Sequence, residues 1–203
     1  SGALSLVLPS AQDFIFGQFI WTGTDYLGES GRWPSRGLYT GLLDFGSFPK
    51  PRGHFRASLW CENPVTYVGT YPVYVHPKHP EHVFLSLDAW DIWNYDEGQN
   101  IRVVCYTNAP QARLLLNGRV VGEMKPYDEK TGIIYWDFLS GLVSFVLRLL
   151  IKEEWLVELS STLSPYAIRA TADRTILSGD RATAHITVEV VDEEGTVVKL
   201  GDN

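Results

Sequence analysis

The chain has 203 residues, enough for one large domain or two small ones at roughly 150 residues per domain. Its 45% hydrophobic and 20% charged composition excludes wholesale disorder, and a net charge of −7 leaves no basic face for a phosphate-backbone partner. Aromatic residues reach 13%; rings at that density fill cores and also line sugar-binding clefts, because a ring face packs against the C–H face of a pyranose.

Residues 1–12 carry an apolar stretch without a basic leader or a cleavage pattern, so no signal peptide is expected. No apolar run reaches the eighteen or so residues of a membrane span, so no membrane partner is expected either. Residues 14–21 form a short, nearly continuous apolar run that ends in Thr22-Gly23-Thr24-Asp25. Strands buried on both faces read this way and belong to parallel sheets and barrels. Residues 28–51, broken by Trp33-Pro34 and Pro49-Lys50-Pro51, read as a long irregular loop, and a loop of that length inside a compact domain is usually functional.

From about Pro64 the pattern becomes antiparallel β. Residues 101–107 read as a strand, with Thr107-Asn108-Ala109-Pro110 as its turn. Residues 112–116 and 119–121 flank Asn117-Gly118, the dipeptide that suits a type I′ hairpin because both central residues need positive φ. Thr131-Gly132 leads into a strand at 133–136. Short strands with turns at this spacing indicate a β-sandwich. Residues 139–151 are apolar at both helical and strand spacing, which periodicity alone does not separate; a strand pair with a charged turn at 152–154 is the plainer reading. Residues 184–191 alternate, Asp192-Glu193-Glu194-Gly195 turns, and residues 196–200 begin a return strand, as though a further unit were cut short.

Cys61 and Cys105 are too few for a disulfide scaffold, and two free, buried thiols are expected. His76, His79 and His82 with Glu81 offer imidazole and carboxylate to zinc, but Pro77 and Pro80 prevent a helix from aligning them, and a polar surface loop is the expectation. Asp25, Glu29 and Asp44 lie where a barrel enzyme places its chemistry, yet one strand and its loop rarely supply a complete acid and nucleophile pair. Trp21 either offers a ring face to a ligand or caps a barrel core.

The run from Phe16 through Trp21, Thr22, Gly23, Asp25, Tyr26, Gly28 and Glu29, then Trp33-Pro34-Ser35-Arg36 and Asp44-Phe45-Gly46-Ser47-Phe48-Pro49-Lys50, closely resembles the last barrel strand and following loop of glycoside hydrolase family 2. Within that family it is most similar to the β-galactosidase branch of gut Bacteroidetes. The resemblance continues through residues 67–72, Trp93-Asn94-Tyr95, residues 101–108, 114–118 and 132–136, and resumes at Pro165-Tyr166-Ala167-Ile168.

It implies a mainly β fragment. Residues 1–60 would be the C-terminal remnant of a (β/α)8 catalytic barrel, 61–165 an immunoglobulin-like β-sandwich, and 166–203 the truncated start of a second β-sandwich. The resemblance also implies a retaining hydrolase of β-linked galactosides whose two catalytic glutamates lie upstream, so that this chain holds no catalytic residue and is inactive alone. Trp21 would contact the sugar, with Asp25 and Arg36 supporting the site. No cofactor is implied, and because Thr40 stands nearest the position where some relatives bind sodium through Asn, no metal is expected. A bacterial, periplasmic or secreted setting and a homo-oligomer built through the sandwich domains go with the same resemblance.

Residues 139–164 depart from it. They read as a segment translated out of frame between two compensating slips, which would leave the sandwich without its last hairpin. The alternative to a hydrolase fragment is a non-catalytic carbohydrate-binding or interaction module that uses exposed aromatics such as Trp90 and Trp93.

Overall fold

The computed structural model describes residues 14–17, 19–75, 77–80, 83–139, 146–151, 154–160, 162–179 and 181–199. Its centre is a sandwich of two antiparallel sheets. The first contains β3 (Thr66–Pro72), β4 (Asn100–Thr107) and β7 (Ile134–Leu139) in the order β3-β4-β7. The second contains β5 (Gln111–Leu116), β6 (Arg119–Pro126), β8 (Val146–Ile151) and β9 (Glu154–Ser160) in the order β6-β5-β8-β9. Turn spacing predicts a β-sandwich, and three strands on four is the immunoglobulin-like form that the family resemblance implies. Asn117 and Gly118 take φ of 49° and 75° at the β5–β6 turn, as a type I′ hairpin requires.

Strand β4 explains why the sandwich has two cores. Ile101, Val103 and Cys105 point between the sheets and pack with Val68, Leu114 and Trp136. The alternate residues Val104 and Tyr106 point outward, yet they are fully buried too, in a second cluster with Phe55, Tyr67, Ala89 and Ile133. Two elements cover that outer face. One is helix α1 (Pro51–Trp60), which begins with Pro at its first turn, where the missing N–H costs nothing. The other is a strap, residues 84–93. Arg102 donates to the Phe84 carbonyl at 2.7 Å, Tyr106 to Ser86 O at 3.2 Å and Tyr67 to Ala89 O at 2.9 Å. Thr70 N–H donates to Trp90 O at 2.8 Å. Gly69 permits this closeness, because a Cβ there would lie 2.1 Å from the Ala89 carbonyl oxygen.

Several expectations change. The apolar run at 14–21 forms no strand among its described residues, and Phe14, Phe16 and Phe19 are 83%, 99% and 98% exposed. A doubly buried strand exists only when neighbours take its N–H and C=O groups, and no described strand of this chain lies beside it. Residues 28–51 are not wholly irregular, since β1 (Tyr26–Leu27) pairs with β2 (Gly37–Leu38). Helix α1 departs from the sequence reading: its packed face carries Pro51, Phe55 and Leu59 around Ser58, too thin a stripe to register as a 3.6-residue period. Cys61 is exposed rather than buried, while Cys105 is buried and both thiols are free. Trp93 is 2% exposed and belongs to the core between the sheets, so it is no exposed sugar platform.

The backbone at 146–151 and 154–160, inside the stretch that departs from the family pattern, forms an antiparallel strand pair. Strand β8 pairs with both β5 and β9. Of the stretch at 139–151, residues 146–151 resolve as strand, because β5 offers an edge that a helix leaves unsatisfied. Beyond the sandwich, β10 (Ala167–Ala172) and β11 (Ile186–Val191) form a two-stranded antiparallel ladder. Of the expected return strand, the described residues show a bridge between Val191 and Val197.

Candidate functional site

Trp21 stands at the mouth of a loop that closes on itself. Leu42 N–H donates to Thr22 O at 3.1 Å, Leu43 N–H to Gly23 O at 2.9 Å, and Asp25 N–H back to Leu43 O at 2.9 Å. Asp25 locks this closure. Its side chain is 4% exposed, receives the Lys50 ammonium at 3.0 Å on each oxygen, and accepts Gly41 N–H at 2.7 Å. Lys50 also donates to Tyr39 O at 2.8 Å. A buried carboxylate is tolerated when paired and hydrogen-bonded in this way. Gly41 is required at this point, since a Cβ would lie 2.4 Å from Asp25 N.

The Trp21 ring is 71% exposed, so the core-capping reading does not describe it in this structure. Its indole N–H donates to the Tyr26 hydroxyl at 3.2 Å, and Tyr26 donates in turn to the Glu29 carboxylate through a short hydrogen bond. The two rings meet edge to face with centroids 6.3 Å apart. Glu29 raises the Tyr26 pKa above its ordinary value, chiefly through that hydrogen bond, which keeps the phenol protonated and donating.

Beside Trp21 lies a cleft of about 380 Å³ lined by Trp21 and Thr40 from the loop, Arg52 and Arg56 from α1, and Phe84 and Asp88 from the strap. Arg52 and Asp88 form a two-point pair at 2.7 and 2.6 Å. Arg56 stacks over Trp60 at 5.2 Å. The Thr40 hydroxyl is buried without a hydrogen-bond partner among the described residues.

The other sequence candidates fall into separate places. Asp44 accepts Gly46 N–H at 2.8 Å and Phe48 N–H at 2.9 Å, the geometry of a local turn. Asp25, Glu29 and Asp44 thus each hold a hydrogen-bond partner of their own, Lys50, Tyr26 and the Gly46 N–H in turn. Arg36 stacks over Trp33 at 5.7 Å and has no hydrogen bond to Trp21 or Asp25. His76 and His82 lie outside the described residues. Among the described residues no group of three or more metal-ligating side chains occurs. In sequence Lys50 is only a member of the Pro49-Lys50-Pro51 break; its role emerges from a closure between positions 25 residues apart. Arg52, Arg56 and Asp88 carried no sequence signal, because the fold brings α1 to the strap.

Residues 98–146 match a family model described as a domain of unknown function, DUF4982; they span β4 to the start of β8. The chain is 33% identical over 98% of its length to beta-galactosidase BoGH2A of Bacteroides ovatus, of which it covers 22%. A solved glycosyl hydrolase family 2 member from Bacteroides cellulosilyticus aligns with 93% of the chain at 26% identity and a TM-score of 0.67. Over nearly its whole length the chain therefore matches a portion of glycoside hydrolase family 2 proteins. A second relative, a putative beta-glucuronidase of Formosa agariphila, is 32% identical over 54% of the chain. The fold itself recurs in a beta-glycosidase from Bacteroides vulgatus, with a TM-score of 0.73 over 97% of the chain and 23% identity. The chain spans 22% of the Bacteroides ovatus relative and 27% and 23% of the two solved structures, about a quarter of each.

Proposed function

We propose that the chain supplies the Trp21-bearing wall of the sugar site, and the sandwich that supports it, in a β-galactosidase-type retaining glycoside hydrolase. The 33% identity to a β-galactosidase over 98% of the chain carries this reading. The placement of Trp21 supports it, since an exposed indole held from one edge leaves its face free for the C–H side of a sugar.

Retaining hydrolysis needs two carboxyl groups roughly 5 to 5.5 Å apart, one to protonate the leaving oxygen and one to form and then release the glycosyl-enzyme. With Asp25, Glu29 and Asp44 committed to structural partners, the pair comes from other parts of the parent protein, as the family resemblance implies. Helix α1 and the strap then hold the Trp21 loop against the sandwich. In this reading the sandwich domains also carry any subunit contact, and the parent works in the periplasm or outside the cell.

The test is hydrolysis of chromogenic β-galactosides and β-glucuronides by this chain and by its full-length parent, each beside Trp21→Ala. The chain alone is expected to give no turnover. The parent is expected to prefer the galactoside, and Trp21→Ala to lower its kcat/KM about tenfold, the scale of one lost aromatic contact. Turnover by the chain alone, a preference for the glucuronide, or an unchanged kcat/KM would each overturn this assignment.

A further inference from the structure

An exposed indole N–H has water available at no cost, yet the N–H of Trp21 is committed to Tyr26, and Tyr26 to Glu29. The loop does not need this chain of bonds to close. Closure comes from the buried Asp25–Lys50 pair and the backbone bonds around it, whereas Trp21 and Glu29 both lie at the surface. The backbone is shaped to make the chain of bonds. Tyr26 is held in register opposite Leu38, and the two strands approach so closely that a Cβ on Gly37 would lie 2.6 Å from Tyr26 O. Gly28 and Glu29 then take successive left-handed conformations, φ 95° and 48°, which turn the Glu29 side chain back onto Tyr26. A non-glycine residue in that region is uncommon and concentrates where geometry matters for function.

We propose that Tyr26 and Glu29 are positioning residues that fix the Trp21 ring before a saccharide arrives. One hydrogen bond and an edge-to-face contact from Tyr26, itself anchored by Glu29, hold the indole in one orientation, so its ordering entropy is already spent when a ligand stacks on it. The face left free takes the apolar side of a pyranose. The saccharide part of this inference rests on the function proposed above; the positioning part does not.

Indole resonances of the 15N-labelled full chain provide the test, with the Trp21 signal identified by its loss in Trp21→Phe. In the unmodified chain the Trp21 indole is expected to be ordered like rigid backbone, with an order parameter of about 0.85, and to fall below about 0.6 in Tyr26→Phe and Glu29→Ala. Glu29→Gln is expected to keep the order, because its amide oxygen still accepts the tyrosine O–H. The remaining Trp resonances should not move in any variant, which separates loss of positioning from loss of fold. An ordered Trp21 in Tyr26→Phe, or equal loss in Glu29→Gln and Glu29→Ala, would overturn the proposal. Titration with methyl β-galactoside then reads the function separately. A shift of the Trp21 signal that weakens in Tyr26→Phe supports both readings. An ordered, Tyr26-dependent indole that ignores the sugar upholds positioning and refutes the sugar site.

Discussion

Gly69 lies in the middle of β3, and its missing side chain is what lets the strap lie flat on the outer face of the first sheet. An added Cβ would sit 2.1 Å from Ala89 O, 2.7 Å from Ala89 C and 2.9 Å from the Tyr67 ring. The first two contacts are backbone, so relief requires the strap to lift rather than a side chain to rotate. Overpacking of a close-packed region costs about 1 to 3 kcal/mol. Lifting the strap also strains the Thr70–Trp90 and Tyr67–Ala89 hydrogen bonds, at about 1 kcal/mol each. Against this, alanine restricts the unfolded chain and returns about 0.4 to 1 kcal/mol. The net expectation for Gly69→Ala is a loss of about 3 kcal/mol, or roughly 6 to 12 °C in Tm for a chain of this size. Thermal and urea unfolding followed by tryptophan fluorescence measure it. Gly31→Ala, where an added Cβ meets nothing within 4 Å, is the control and should stay within about 0.5 kcal/mol. A Gly69→Ala loss below about 1 kcal/mol would mean that the strap does not pack on β3 as described.

Lys50→Met leaves the Asp25 carboxylate buried without its cation, and a loss of about 3 kcal/mol is expected; denaturant unfolding with a double-mutant cycle to Asp25→Asn should show strong coupling, and additive losses would refute the pair. Cys61 is exposed, whereas Cys105 is buried and its thiol pKa is pushed well up by burial. Mass spectrometry after brief iodoacetamide treatment of the folded chain should therefore find Cys61 alkylated and Cys105 intact. Asp192 is 1% exposed and accepts N–H groups from Leu163 at 3.0 Å, Thr196 at 2.8 Å and Glu194 at 3.1 Å, and these bonds, Leu163 foremost, lower its pKa. Its folded value lies below the unfolded one of about 3.9. The stabilisation is therefore complete above that pH and disappears as the pH falls through the folded value. Tm measured from pH 6 to 2 should fall less steeply for Asp192→Asn than for the unmodified chain, and parallel curves would refute this linkage.

The parts of the fold that were readable from sequence are those whose signals are local. Asn117-Gly118 specifies its turn through the φ values of two residues, and residues 101–107 declare a strand through a β-branched apolar run, every residue of which is buried. That same feature concealed the second core. A strand apolar on both faces reads as a central strand of any kind, and its outward residues Val104 and Tyr106 need partners that lie far away in sequence, at Phe55 and Ala89. Helix α1 and the strap were illegible for a matching reason: each presents a thin apolar stripe that acquires meaning only against the other and against β4. The run at 14–21 failed in the opposite direction. Its pattern describes a strand with neighbours, and among the described residues it has none.

The candidate site inherits this division. Trp21 and Asp25 could be picked out by motif, but what positions them depends on closures across long separations: Lys50 with Asp25, Arg52 with Asp88, Gly53 against Leu42. A Cβ on Gly53 would lie 2.5 Å from Leu42 O, so α1 meets the Trp21 loop backbone to backbone, while Phe55 of the same helix is fully buried against the outer face of the sandwich. The loop is therefore tied to the sandwich through one ten-residue helix. A sandwich joined to the loop by a flexible linker would leave the indole orientation to the loop alone. With α1 clamped between them, packing changes at Tyr106 or Gly69, remote from Trp21 in sequence, are expected to reach it through Phe55 and Gly53.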